Sequence, residues 1–389
     1  MAELARIGIY GLIFGAFTCL GFFALKPWAQ SKFHESPKTV TIPEDEEPDT
    51  SQAENPVIVE TVPATLNADS FKEIMGSMYD IARAADKCLA TVQPTAGKEA
   101  LAFGGNGTEN SVTGLLAADN GQELLILCDN SVCHDADSWT AVLADGSKYE
   151  VTLKKQDKNS GFAVFSIPRN QITSNTWTSI QVASLGNSNV TTRGDVVIAL
   201  GNTFGYADGV GYGIVSSNAY NETVADGQRS VIATNISAES SGTGVLFNLK
   251  GEAIGMIDPG VWGGTATNTA KALAMSDLKS TIELLVNGES VPYVGVYGTT
   301  INDAIAKEQD MPAGIYVMEV KPDSPAMSAG IQNGDILQEV SGAKVSNTLS
   351  YGKSVLTSKV GDTVKIKGKR RGANGYVDID FNVVIGSLE

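Results

Sequence analysis

From Cys88 to about Ile282 the chain runs in short alternating apolar segments broken by Gly, Asn and Asp, as at Gly121–Leu127, Thr140–Leu143, Tyr149–Leu153, Phe162–Ile167 and Val196–Leu200. Segments of that length and spacing predict the strands of an all-β barrel or sandwich. Just before them the period changes. Between Ser70 and Lys87 the apolar residues Phe71, Ile74, Met75, Met78, Ile81, Ala82 and Ala85 recur at helical spacing, with Asp69 or Ser70 placed to cap the helix. Earlier still, Ile7 to Leu25 is uncharged and just long enough to cross a bilayer, with Arg6 before it and Lys26, Pro27 and Trp28 after it. No small-x-small cleavage site follows, so this stretch reads as a retained signal anchor; a buried core helix is the alternative. From Ser36 to about Asn67 the chain is acidic and Pro-bearing, which predicts an extended, self-repelling tether.

Composition narrows the possible functions. With 389 residues, 42% of them hydrophobic and 19% charged, the chain has room for two ordinary domains and is not disordered throughout. A formal net charge of −16 lacks the basic footprint that phosphate binding needs, so no nucleic-acid partner is expected. Four cysteines are too few for a disulfide scaffold. Only two histidines are present, His34 and His134, and that scarcity weighs against any Ser-nucleophile enzyme that needs a placed imidazole.

Val231 to Met256, VIATNISAESSGTGVLFNLKGEAIGM, reads as strand, tight loop, strand, turn, strand, with Gly242 and Gly244 where the backbone must bend or approach closely. Such a loop can present a Ser beside backbone N–H groups aimed at an oxyanion. The stretch resembles the nucleophile region of trypsin-like proteases of the HtrA/Deg family, T-D-A-x-I-x-x-G-N-S-G-G-x-L-x-N-x-x-G-x-x-I-G. Thr234, Gly244, Leu246, Asn248, Gly251, Ile254 and Gly255 hold that frame. The centre departs from it, because Glu239-Ser240-Ser241-Gly242-Thr243-Gly244 stands one residue short where G-N-S-G-G belongs. Gly194 to Gly205 is similar to the family's G-x-x-V-x-A-I-G-N-P-F-G, Gly213-Ile214-Val215-Ser216 to its S-G-I-V-S, and Leu143 to Gly146 to its L-x-D-G. The resemblance implies a double β-barrel.

Carried across residue by residue, the family's His falls on Ser131 and its Asp on Gly161, while the nucleophile matches either Ser241 or Gly242. Base and orienting carboxylate are therefore both replaced, which implies a pseudoprotease. The alternative is an active serine endopeptidase using Ser241 with a relocated base, His134, three residues past the expected place. Cys128 and Cys133 flank the vacated His position, as a local disulfide or as small buried hydrophobes. One His and two Cys there lack metal-ligand spacing, and neither metal nor cofactor is expected.

Pro292 to Ile385 resembles a PDZ domain of the HtrA type. Tyr293-Val294-Gly295-Val296 stands where the family has its carboxylate-binding loop, and Gly314–Val320, Ser324-Pro325-Ala326, Ala329-Gly330-Ile331 and Gly334-Asp335-Ile336-Leu337 follow in family order. The mode implied is β-augmentation, a peptide strand added beside Val294–Val296 with loop N–H groups on its terminal carboxylate. Tyr351 and Val355, at i and i+4 of a helix, line the same groove or pack in the core. Lys365 to Arg371 is the one basic run, a solvated hairpin or a surface for acidic partners.

The chain is thus expected to be mainly β: a head (1–6), a transmembrane anchor (7–25), an acidic disordered linker (26–68), a trypsin-like domain (69–287) and a PDZ domain (288–389). Its expected setting is a bacterial cell membrane, single-pass, with the folded domains outside the cytoplasm. Expected partners are peptide or unfolded-protein C-termini, copies of itself or active paralogues, and the membrane, in a scaffold role in envelope protein quality control.

Overall fold

In the computed structural model, which describes residues 37–46, 67–95, 111–134, 136–261 and 268–389, six strands close a first barrel. They are β1 (Leu89–Pro94), β2 (Val112–Asp119), β3 (Glu123–Asp129), β4 (Trp139–Leu143), β5 (Lys148–Asp157) and β6 (Phe162–Pro168), ordered β1-β2-β3-β6-β5-β4 with β4 paired back onto β1. A second barrel is built from β7 (Val196–Gly201), β8 (Gly209–Val224), β9 (Gly227–Ser237), β10 (Gly244–Phe247), β11 (Ala253–Ile257) and β12 (Thr269–Ala274), ordered β10-β11-β12-β9-β8-β7 and closed by β10 on β7.

The sequence of β3 shows why the barrels pack as they do. Leu124 to Cys128 contains no polar residue, because neither face of the strand meets water. Leu124, Ile126 and Cys128 point into the first barrel with Phe165, while Leu125 and Leu127 join Val245, Phe247 and Leu200 of the second. Burying each such Leu contributes roughly 1.5–3 kcal/mol. Helix α2 (Met275–Val286) adds Leu278, Ile282 and Leu285 to this shared core. It follows α1 (Ala68–Asp86), which is capped by Asn67, whose side chain accepts the Ser70 N–H. The cap thus lies two residues before Asp69, because the acceptor must sit at the last non-helical residue to reach the third N–H. Only the last turns of α1 pack, through Ala82 and Ala85, while Phe71 and Ile74 are exposed.

A third core belongs to a sheet ordered β13-β14-β15-β17-β18, from β13 (Val296–Ile301), β14 (Gly314–Val320), β15 (Ile336–Val340), β17 (Thr363–Gly372) and β18 (Gly375–Val384), with the short β16 (Ala343–Lys344) beside β15. Helix α3 (Thr348–Leu356), held by an Asn347–Ser350 capping box, packs over it. Val291 packs in the shared barrel core and Val294 in this one, so the passage between domains falls a few residues after 287.

One part of the expected tether behaves otherwise. Val40 N–H donates to Asn287 Oδ1 at 2.9 Å, Ile42 N–H to Glu283 Oε2 at 2.7 Å, and Asp45 pairs with Lys279 at 2.7 Å. Acidic as it is, Val40–Asp45 lies along α2 because that helix and its C-cap residue Asn287 offer a carboxylate, a buried ammonium and an amide in register with it. The head (1–6), the anchor Ile7–Leu25 and the linker stretches 26–36 and 47–66 lie outside the described residues. Among the described residues no helix is long and apolar enough to cross a membrane.

Candidate functional site

β3 ends in Asp129, whose carboxylate accepts the Ser131 N–H at 2.8 Å and starts the 3-10 turn Asn130–Cys133. Asn130 N–H donates to the Gly161 carbonyl at 2.8 Å, so the turn carrying Ser131 lies against the β5–β6 turn carrying Gly161. The two positions matched to the family's base and carboxylate are thus side by side, and neither bears a titratable group. Gly161 sits at φ +78° with open space where a Cβ would be. His134 is exposed, and its ring makes no hydrogen bond or ion pair among the described residues. Cys128 and Cys133 are free thiols. Burial pushes the Cys128 thiol well above its usual range; burial and the Asp129 charge push Cys133 to about 11. Thiols so protonated do not replace a serine nucleophile.

The loop between β9 and β10 is fixed by its backbone. Glu239 N–H donates to the Thr203 carbonyl at 2.9 Å and Gly242 N–H to the Glu239 carbonyl at 3.0 Å. Thr113 donates two hydrogen bonds to Thr243 across the two barrels, its N–H to Oγ1 at 2.9 Å and its hydroxyl to the carbonyl at 3.0 Å. A Cβ at residue 242 would lie 2.3 Å from the Thr203 carbonyl oxygen, so this buried position admits only Gly, while Ser241 beside it is exposed. In trypsin-type enzymes the oxyanion is held by the nucleophile's own N–H and that of the residue two before it. With Ser241 as nucleophile, the Glu239 N–H is committed to Thr203; with residue 242 in that place, its own N–H is committed to Glu239. Either alignment leaves one of the two donors occupied.

Behind these turns is a charge cluster, buried at Asp157 and Arg229, that motif matching passed over. Arg229 of β9 donates to the Ser160 carbonyl at 2.9 Å, and the charges of Asp157, Asp258, Asp277 and Glu222 act on its guanidinium. Asp157 accepts the Ser160 N–H at 2.8 Å and the Asn159 N–H at 3.2 Å, yet its burial raises its pKa. Asp258, just past β11, is pushed up to about 6 by burial and then by the charge of Asp129. A folded pKa above the unfolded one means the proton is held more tightly in the fold, so the stabilisation is complete below about pH 4 and is lost as pH rises through 6. Raising the pH from 5 to 7.5 is therefore expected to remove about 1 kcal/mol through this group. Urea unfolding at the two pH values measures it, and Asp258→Asn should flatten the difference.

The PDZ residues singled out above are gathered at one place. Tyr293 pairs with Gly386 through both backbone groups, which fixes the start of the loop. The N–H groups of Val294, Gly295 and Val296 then converge on one carboxylate, that of Asp226 at the tip of the β8–β9 hairpin, at 2.7, 2.8 and 3.0 Å. Tyr351 of α3 donates its hydroxyl to the same carboxylate at 3.0 Å, and Val355 is buried one turn on. The basic run is largely neutralised within its own sheet: Lys365, Lys367, Lys369 and Arg370 pair with Asp380, Glu339, Asp378 and Asp335 at 2.6–2.7 Å.

Comparison with known proteins agrees with this geometry. Residues 112–256 match the trypsin-like peptidase domain and residues 292–381 the PDZ domain. The chain is 28% identical over 276 residues to the serine protease Do-like HtrA of Lactobacillus helveticus, covering 66% of this chain and 64% of that protein. To the periplasmic serine endoprotease DegP of Escherichia coli K12 it is 29% identical over 277 residues, covering 69% and 56%. Human serine protease HTRA3 is 29% identical over 273 residues, covering 66% and 58%. The chain thus spans less than two thirds of the length of these relatives. Among solved structures, the HtrA-type protease AlgW with decapeptide superposes with a TM-score of 0.56 at 19% identity, over 80% of this chain and 99% of that one. The Yersinia pestis serine endoprotease superposes at 0.53 and 22%, over 80% and 98%. Two closed barrels, a PDZ sheet and these matches together make the chain an HtrA-like trypsin-fold protein with a PDZ domain.

Proposed function

We propose that this HtrA-like protein is proteolytically inactive and acts as a membrane-anchored, extracytoplasmic binder of peptide C-termini or unfolded segments, a scaffold or regulator in envelope protein quality control. The observation that carries the reading is the pairing of the Ser131 and Gly161 turns, where an acyl-transfer site needs an imidazole and a carboxylate. A Ser hydroxyl without a base is a poor nucleophile, and Ser241 Oγ has no hydrogen-bond partner among the described residues. The anchoring part rests on the apolar stretch Ile7–Leu25, and the binding part on the convergent N–H groups of Val294, Gly295 and Val296. Periplasmic location and endoproteolysis are what the relatives' names state of the relatives; the first fits the anchor, and the second is at odds with the replaced triad.

Hydrolysis of unfolded casein by the full chain, beside its Ser241→Ala variant, tests the reading. Both are expected to release fragments at the rate of buffer. Turnover in the unaltered chain that Ser241→Ala abolishes would establish an active endopeptidase with a base other than the residue at position 131.

A further inference from the structure

We infer that Asp226 is the resident ligand of the PDZ carboxylate loop, a side-chain carboxylate seated where a peptide's terminal carboxylate would bind, so that the groove is closed until the β8–β9 hairpin withdraws. The contacts reproduce what a terminal residue would offer. Val294 N–H donates to Oδ2 at 2.7 Å, Gly295 N–H to Oδ2 at 2.8 Å and Oδ1 at 3.0 Å, and Val296 N–H to Oδ1 at 3.0 Å. The Asp226 N–H donates in turn to the Val296 carbonyl at 2.8 Å, the first rung of a β-augmentation ladder on the free edge of β13. Carboxylate and N–H together are the two groups of a chain terminus that such a loop reads.

Among the described residues the Asp226 carboxylate has no cationic partner. Its five hydrogen bonds come from three backbone amides and the Tyr351 hydroxyl. Burial raises its pKa while these donors favour the charged form. Nests of backbone N–H groups hold anions in this way without a counter-charge.

A second feature fits the hairpin to the groove. Gly352 stands in the middle of α3, where Gly is unfavourable for the helix. A Cβ there would lie 2.9 Å from the Asp226 carbonyl oxygen and 3.7 Å from Gly227 Cα, so the missing side chain is what lets the hairpin tip in. Asp226 itself is held at φ +62°, an uncommon conformation for a residue with a side chain. The hairpin is also bonded to the vacated triad, through Asn159 Nδ2 to the Ala225 carbonyl at 3.0 Å and Arg229 to the Ser160 carbonyl at 2.9 Å. Withdrawal of Asp226 therefore pulls on the turn that carries Gly161.

The inference that Asp226 occupies the loop stands apart from the proposed function; only its consequence, competition with incoming C-termini, rests on the peptide-binding reading. Asp226→Gly separates the two. Glycine tolerates the positive φ, so the hairpin turn is kept while the carboxylate is removed. Two readouts on the full chain are needed: hydrogen exchange of the Val294–Val296 amides, with β17 and β18 amides as internal control, and anisotropy of a fluorescein-labelled pool of random hexapeptides with a free C-terminal carboxylate or an amide. Asp226→Gly is expected to speed loop exchange about tenfold or more and to tighten binding of the carboxylate pool by a similar factor, the closed fraction being released. The amidated pool should not respond. Unchanged loop exchange would overturn the inference, and so would measurable carboxylate-pool binding of the same affinity in both proteins. Faster loop exchange with no peptide binding would leave Asp226 as the occupant and refute the peptide-binding reading instead. Asp226→Asn, isosteric and also tolerant of the turn, serves if the Gly variant does not fold; it should move the same readouts in the same direction.

Discussion

The full chain carrying Ser131→His and Gly161→Asp together is expected to hydrolyse unfolded casein no faster than the unaltered chain, at least about 10⁴-fold below a triad-bearing relative. Triad members act as a unit, and restoring residue types does not restore their geometry. An Asp at residue 161 would have to adopt φ +78°, at a cost of about 1–2 kcal/mol for an L-residue, and its Cβ would meet no atom within 4 Å that could hold the carboxylate in place. The Asn130–Cys133 turn is set by the Asp129 cap, so a His at 131 inherits a backbone shaped for Ser. The oxyanion side is no better prepared, because one donor of either candidate pair already serves an internal carbonyl. Fluorescent fragment release from labelled casein measures this. Turnover that disappears on adding Ser241→Ala would show the site to be one double substitution away from chemistry, and would sink the argument from geometry.

How far the sequence could be read depends on whether a feature is local. Strand positions were legible because apolar runs such as Phe162–Ile167 and Val196–Leu200 are bounded by Gly, Asn and Asp. The core roles of Leu124 and Leu125 were legible only as apolar, since which of them faces the first barrel and which the second depends on how the barrels close. The motif frame placed Ser131 and Gly161, and the folded chain brings those two turns together through one backbone hydrogen bond. Asp226 was missed for a physical reason. Asp226-Gly227 reads as an ordinary hairpin turn, and its distinguishing partners lie about 70 and 125 residues away, where no local signal reaches. Gly352 was the one clue available, a glycine in an otherwise sound helix, and it has meaning only once the hairpin is seen against it. Val40–Asp45 failed differently: its composition argued for a tether, but Lys279 and Asn287 of the other partner surface decide where it lies.

Arg229→Met is expected to lower stability by about 3–5 kcal/mol at pH 7.5 and by clearly less at pH 5. The side chain is only 9% exposed and stands among Asp157, Asp258, Asp277 and Glu222, the first two of which already hold their protons more tightly than an ordinary carboxylate. Removing the one guanidinium leaves the buried Asp157 and the half-buried Asp258, Asp277 and Glu222 without its opposing charge, and their cheapest response is to bind protons. At pH 7.5 protonation is itself costly, so the full penalty is felt. At pH 5, Asp258, with its pKa of about 6, is already largely neutral and less is lost. The Ser160 carbonyl also loses its donor, a contribution that does not depend on pH. Urea unfolding of both proteins at the two pH values gives the comparison, and Asp157→Asn in the Arg229→Met background should recover part of the loss, as expected for residues in one network. A penalty equal at both pH values, with no recovery from Asp157→Asn, would mean that Arg229 acts through packing alone and that the cluster joining the hairpin to the Gly161 turn is not held by charge.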